Sequence, residues 1–331
     1  MSPEEHSGLD PGGRGPSGES LCSRRALLGA CLGGWAAGAL GCSQDPVQPS
    51  GGESSEERAW ELACRYKAVG ALRPEVGELT HLGLDGASLW AAGSEGLVLL
   101  DPAGAELSRL AAPFPCRAFA LDADGTLWLA GGARVARIDR AGGVLSSFEA
   151  AGTFVRRVPL LTDIALSGED LFLADAANRM IHRFARNGDY VGPIGEDATP
   201  TGLIAPSPYL SIALDGKGAL LVAHLGRRRV ERYSFEGALL GSWGRAGIQP
   251  GAFSGCCNPV GLHADPSGLV LTAEKGLGRL TWFSAEGQPL SLLGRGAFSP
   301  ASRNIQVCDQ GLARVFAADP AAGLIQRFEA A

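Results

Sequence analysis

The chain is 331 residues long, 45% apolar and 19% charged, which is enough apolar material to bury a large core. A formal charge of −6 gives no reason to expect nucleic-acid binding, and the run Arg227-Arg228-Arg229 reads as a solvated loop. Gly 48 and only 7% aromatic residues suit a turn-rich β protein.

Residues 1 to 22 are polar, rich in Gly, Pro and Ser and without periodicity, and they read as a disordered start. Ser23-Arg24-Arg25-Ala26-Leu27-Leu28 resembles a twin-arginine export motif. The run that follows, ALLGACLGGWAAGALG, is too short and too Gly-rich for a stable membrane span. It ends in Ala39-Leu40-Gly41-Cys42, which suits either acylation of Cys42 or ordinary signal-peptide cleavage. Residues 1 to 41 are therefore expected to form a signal region, residues 42 to 57 a disordered linker and residues 58 to 331 the folded domain. On this reading the protein is exported to the periplasm or cell envelope and touches the membrane only through a lipid on Cys42.

From about residue 80 onwards one unit recurs. Asp163 to Phe184, DIALSGEDLFLADAANRMIHRF, contains three short apolar strands separated by polar turns. Its first strand, apolar-x-apolar-(Asp/Ser)-x-x-Gly, is found six times, anchored at Asp85, Asp122, Ser167, Asp215, Asp265 and Cys308. The anchors lie about 37 to 50 residues apart, the period of a propeller blade. A hairpin turn ending in Gly follows the third strand, at Gly104, Gly142, Gly188, Gly237 and Gly287, and leads to a fourth strand. The sixth copy stops after strand three, at Ala331. Residues Trp60 to Leu72, WELACRYKAVGAL, are available to supply the missing strand and close the ring, because an unpaired edge is unfavourable. The fold expected is all-β: a six-bladed propeller of four-stranded blades, closed by an N-terminal strand.

The stretch DIALSGEDLFLADAANRMIHRFARNGDY resembles the NHL-repeat family of six-bladed β-propellers, and the resemblance extends over about residues 60 to 331. It implies a fold rather than a chemistry, since the family includes lyases, lactonase-like relatives and propellers that only bind another molecule.

The repeat register places candidate residues around a central channel. His81, Ala118, Asp163, Ser211, Gly261 and Asn304 alternate with the apolar packing column, and Gly83, Ala120, Ala165, Ala213, His263 and Gln306 follow one pleat further in. Cys116, Cys256 and Cys257 fall at the entrance face. The second strands end at Gly93, Gly131, Asp175, His224, Glu274 and Asp319. Asp175 and Asp319 read as carboxylates that cap loop amides, whereas His224 and the pair Glu274-Lys275 depart from that pattern and become site candidates. His182 reads as surface or blade packing. A calcium site of the lactonase relatives needs converging oxygens, for which only Asp163 and Asn304 qualify by register. Zinc or another soft transition metal would need His81, His224 and His263, or the cysteines. The chain has no Gly-x-Ser-x-Gly elbow, no His-Glu-x-x-His and no Cys-x-x-Cys.

Cys256 and Cys257 are adjacent in FSGCCNPVG, where packing alone is a poor reason for two cysteines. They suit either a strained direct disulfide or a soft-metal site with Cys116 or His263. The functional expectation is a module that binds a small ligand, a metal or a protein partner at its channel entrance. The alternative is a metal-dependent lyase or hydrolase using the channel histidines, or a redox role for the paired cysteines.

Overall fold

The computed structural model describes residues 66–150, 156–195, 202–294 and 296–331. Arg24, Arg25, Cys42, the expected signal region and linker, and residues 60–65 of the expected closing segment lie outside them. No helix among the described residues is long and apolar enough to cross a membrane.

Each repeat folds into a four-stranded antiparallel meander. The first blade comprises β2 (Leu79–Asp85), β3 (Ser88–Gly93), β4 (Gly96–Leu100) and β5 (Glu106–Leu110). The second comprises β6 (Ala118–Leu121), β7 (Leu127–Gly131), β8 (Arg134–Ile138) and β9 (Val144–Glu149). The third runs from β10 (Leu161–Ser167) through β11 (Asp170–Asp175) and β12 (Met180–Ala185) to β13 (Tyr190–Ile194). The fourth runs from β14 (Ile212–Leu214) through β15 (Ala219–His224) and β16 (Arg229–Ser234) to β17 (Leu239–Trp243). The fifth contains β18 (Gly261–Ala264), β19 (Val270–Glu274), β20 (Arg279–Phe283) and β21 (Pro289–Leu293). The sixth uses β22 (Val307–Gln310), β23 (Arg314–Asp319) and β24 (Leu324–Ala330), with β1 (Tyr66–Leu72) as its outer strand.

That last pairing closes the ring. β1 lies antiparallel to β24, from Tyr66 opposite Ala330 to Leu72 opposite Ile325, with a bulge before Gly70. The Tyr66 hydroxyl also donates to the Leu312 carbonyl at 2.8 Å. The innermost strands β2, β6, β10, β14, β18 and β22 neighbour one another in order, and β22 returns to β2.

The core lies between blades. Trp90, Trp128, Phe172, Leu221, Leu271 and Phe316 occupy one position of the second strands and are all buried. Burying an aromatic face of this size against the next sheet is what a lone meander cannot do, and it makes the blades interdependent. The polar edge of two of these rings is satisfied locally, since the Trp90 and Trp128 indole N–H groups donate to Asp85 and Asp122 at 3.3 and 3.1 Å. Those aspartates also take arginines from the following blade, Arg140 and Arg186. Bulges at Thr80 and Thr162 turn their hydroxyls outwards to the next inner strand, where they donate to the carbonyls of Cys116 and Leu210.

The sixth repeat is displaced from its expected register by two residues. Gln306 accepts from the Ala318 N–H as Ser211 does from Ala223, and Cys308 pairs with Phe316 as Ala213 pairs with Leu221. The anchor equivalent to Asp215 is therefore Gln310, not Cys308. A slip of two leaves the pleat unchanged, so the alternation of the sequence is blind to it.

Candidate functional site

Inner-strand side chains of the His81 column turn towards the following blade at the channel edge. His81 of the first blade meets Phe119 of the second edge-on, with centroids 5.2 Å apart. The second blade offers only Ala118 at the same level, and His81 Nε2 comes within 3.8 Å of Asp163 Oδ1 on the third blade. Asp163 reaches on to the fourth blade, where its Oδ2 accepts from Ser211 Oγ at 2.7 Å and from the Ile212 N–H at 2.9 Å. His263 of the fifth blade approaches Asp309 of the sixth, Nε2 to Oδ1 at 2.8 Å. Asp309 Oδ2 also accepts from the Leu312 N–H at 3.0 Å, so the carboxylate is held by backbone as well as by the imidazole. The circle is completed by Gln306, which donates to Asn304 Oδ1, and by Asn304, which donates to the Thr80 carbonyl of the first blade.

His81, Asp163, His263 and Gln306 share a cavity of about 230 Å³. Its acidities are unusual. Burial raises Asp163 to about 7, although Ile212, Ser211 and Ile164 hydrogen-bond its carboxylate and the His263 charge favours ionisation. Burial lowers His81 to about 4, so its ring is neutral at pH 7, and Nδ1 has no hydrogen-bond partner. Burial alone would raise Asp309, but the hydrogen bonds from His263 and the Leu312 amide outweigh it and hold the carboxylate below its ordinary range. Across one small space stand an acid that is half protonated near neutrality and an imidazole oriented by a carboxylate. A second cavity of about 180 Å³ opens at the mouth, lined by Thr80, Arg117, Thr162, Tyr209, Arg303 and Asn304 among others.

The ends of the second strands have one common task. In the third blade Asp175 accepts the N–H groups of Leu160, Ala177 and Asn178 through one oxygen, with His182 on the other at 3.0 Å. Asp319 takes the Ser299 N–H at 2.8 Å and the Ser302 hydroxyl. His224 and Glu274 do the same work with different atoms: His224 Nε2 accepts the Ile204 N–H at 2.9 Å, and Glu274 Oε1 the Ser254 N–H at 2.7 Å. Since Nε2 is an acceptor, the proton sits on Nδ1, 2.8 Å from Glu231. His224 and Glu274 are fully buried, the latter also paired with Arg279, and the structure brings neither into the channel. In the first two blades the same position is glycine. A Cβ on Gly93 or Gly131 would fall 2.3 Å from the Val76 carbonyl oxygen or 2.1 Å from that of Pro115, so there the loop backbone itself comes in against the strand.

The cysteines divide into two groups. Cys116 is buried beside Trp90 and Phe114, donates to the Ala118 carbonyl and is pushed up to about 12 by burial. Cys308 is likewise buried and its thiol raised. Cys256 and Cys257 lie in a different part of the fold, in the loop before β18, with Sγ atoms 3.2 Å apart. Cys257 packs in the core cluster of the third to sixth blades, apart from Cys116. Lys275 does join the pair, reaching Ser207 Oγ at 2.9 Å beside the Cys257 thiol.

The described channel residues do not fit a resident metal. Among the described residues no three His, Cys, Asp or Glu side chains converge as a ligand set. Both Asp163 oxygens and Asn304 Oδ1 are occupied by protein donors, and Asp163 and Asn304 stand in separate blades. Two participants escaped the sequence reading. Asp309 stands in register with the apolar residues Leu214 and Ala264, outside both channel columns, and Ser207 carries no motif that would single it out.

Compared by sequence, the chain matches no family model and no curated protein. Its fold is shared widely. A putative gluconolactonase superposes with a TM-score of 0.56 at 15% identity, covering 80% of this chain and 92% of that one. A gluconolactonase from Xanthomonas campestris gives 0.53 at 17% identity, covering 80% and 98%. The virginiamycin B lyase of Staphylococcus aureus gives 0.52 at 12% identity, covering 80% and 100%. At these identities the likeness establishes a six-bladed propeller fold, one that several enzymes share.

Proposed function

We propose that the channel is the active site of an enzyme of the lyase or hydrolase type that works by proton transfer on a small carbonyl substrate, with lactones and activated esters as the first class to consider. One observation carries this reading: Asp163, raised to about 7, shares a cavity with His263, which has Asp309 2.8 Å behind it. A general acid or base works best when its pKa lies near the working pH. His263 donates its Nε2 proton to Asp309, which leaves Nδ1 as a base for water or for a carbon acid. Asp163 returns a proton to the departing oxygen. Hydrolysis and elimination both need this exchange, so the geometry supports the two classes equally. Neutral His81 adds a hydrogen-bonding group whose Nδ1 lacks a protein partner.

Arg117 and Arg303 at the mouth favour substrates with an anionic group. Lyases and gluconolactonases among the fold's relatives support an enzyme over a module that binds at the entrance, as does the concentration of polar groups inside the channel. The likeness of the repeats to NHL propellers agrees with the same architecture. Arg24-Arg25 and Cys42 favour work at the cell envelope.

The full chain should be tested against a panel of lactones and p-nitrophenyl esters. The expected result is turnover that falls about 100-fold or more in Asp163→Asn and in His263→Ala, with unfolding temperatures close to the parent. Absence of turnover across the panel, or turnover indifferent to both changes, overturns the reading.

A further inference from the structure

The loop before the fifth blade holds a second chemical centre that the channel does not use. We infer that Cys256 and Cys257 form a redox-active dithiol that exchanges with small-molecule disulfides, Cys256 meeting the disulfide and Cys257 closing the ring.

Four observations meet here. The two sulfurs are already 3.2 Å apart, so ring closure needs a short movement rather than a rearrangement of the loop. Cys256 is exposed while Cys257 is buried in the core cluster of the third to sixth blades, which gives the pair one accessible sulfur and one sheltered sulfur. Lys275 and Ser207 converge on the sheltered one from two other loops, their own contact being 2.9 Å. The loop is also fixed from behind. Asn258 donates to the carbonyls of Ser254 and Lys275 and accepts from the Lys275 N–H, so Lys275 and the dithiol are held to one frame.

The electrostatics agree. Burial would raise the Cys257 thiol, yet hydrogen bonds from Ser207 and Cys256 and the Lys275 ammonium leave it below the ordinary thiol range. Cys116 and Cys308, buried without such partners, are both raised. The other nearby charges do not compete for the thiolate. Glu274 is occupied by Arg279 and the Ser254 amide, and Arg228 reaches the Gly255 carbonyl.

The chemistry balances. The Cys256 thiol exchanges with a disulfide RSSR, forming Cys256–S–S–R and releasing RSH, which carries off the Cys256 proton. The Cys257 thiolate then attacks the Cys256 sulfur, forming the Cys256–Cys257 disulfide and expelling RS⁻, which takes up the proton that Cys257 lost on ionising. Two protein thiols are oxidised and one external disulfide is reduced to two thiols. Adjacent residues have Cα atoms about 3.8 Å apart, below the usual disulfide range, so the ring is strained and a thiol pool reopens it readily.

The test uses the reduced full chain and glutathione disulfide, followed by alkylation and peptide mass mapping. Wild type is expected to give the Cys256–Cys257 disulfide without a lasting adduct. Cys257→Ser is expected to accumulate glutathione on Cys256. Lys275→Met should slow ring closure about fivefold or more, and Lys275→Arg should restore it, with thermal unfolding unchanged in both. Both thiols remaining freely alkylatable, a persistent adduct in the wild type, or closure in Lys275→Met at the parental rate would each overturn the inference. None of these outcomes depends on whether the channel is catalytic.

Discussion

His263 Nε2 and Asp309 Oδ1 stand 2.8 Å apart and join the inner strands of the fifth and sixth blades at the channel. On the proposed mechanism Asp309 is a positioning residue, fixing the tautomer and direction of the imidazole without touching the substrate. Asp309→Asn should therefore lower kcat by about 100-fold or more while KM changes little, as when an orienting carboxylate is removed from a catalytic histidine. Steady-state kinetics beside thermal unfolding make the check. A loss confined to KM, or a loss matched by unfolding, assigns Asp309 to structure alone.

Glu231 makes an acid-sensitive contribution to stability. It receives His224, Tyr233 and Arg229 in the buried end of the fourth blade. Burial would raise its pKa, but the His224 imidazole 2.8 Å away and the Tyr233 hydroxyl outweigh that and hold it at about 2. A depressed folded pKa means that the contribution is complete above the unfolded value of about 4.3 and is lost as pH falls towards 2. Glu231→Gln should cost on the order of 3 kcal/mol at pH 7 by urea unfolding, and the gap to wild type should narrow steadily below pH 4. A gap that stays constant from pH 7 to pH 3 contradicts this.

Ring closure by β1 predicts unequal effects of two N-terminal truncations. Removing the chain through Leu72 exposes the edge of β24 and forfeits the row of hydrogen bonds between Tyr66 and Leu72 and their partners. At about 1 kcal/mol net per bond, several kcal/mol of stability should disappear and the unfolding temperature should fall sharply. Deleting only residues 43 to 57 should leave it unchanged. Identical unfolding of the two truncated proteins and the intact one removes the closure from the account.

How far the sequence could be read depends on what each feature repeats. The blades were legible because the apolar alternation of the strands recurs in every copy and a turn glycine follows the third strand in five of them. The sixth copy slipped by two residues because a pleat of period two looks the same after such a shift, and Asp309 escaped because it occupies a position that is apolar in the other blades. His224 and Glu274 looked unusual because the residue type changes there while the task, holding a loop amide, does not. That task is visible only when the Ile204 and Ser254 amides are in place. Asp175 and Asp319 were read for that task from the sequence, since capping by aspartate is a local habit of the chain. His182 is fully buried against Asp175, on the packing side of the reading made for it. The convergence of Lys275, Ser207 and the cysteines joins loops of different blades, and no local pattern encodes such a meeting.

The N-terminal residues carry a separate prediction. Replacing Arg24 and Arg25 with lysine should block export of the folded protein, and Cys42→Ser should release it from the membrane fraction. Fractionation of cells expressing each variant decides. Export with the lysine pair intact rules out the twin-arginine route, and membrane association after loss of Cys42 rules out the lipid.

The poise of the channel can be measured without knowing the substrate. The Asp163 carboxyl carbon should be titrated by ¹³C NMR in the wild type and in His263→Ala. The expected midpoint is about 7 in the wild type, and it should rise further in the variant, where the Asp309 carboxylate loses the imidazole beside it. A wild-type midpoint near the ordinary carboxylate value of about 3.9 would contradict an acid–base site in the channel.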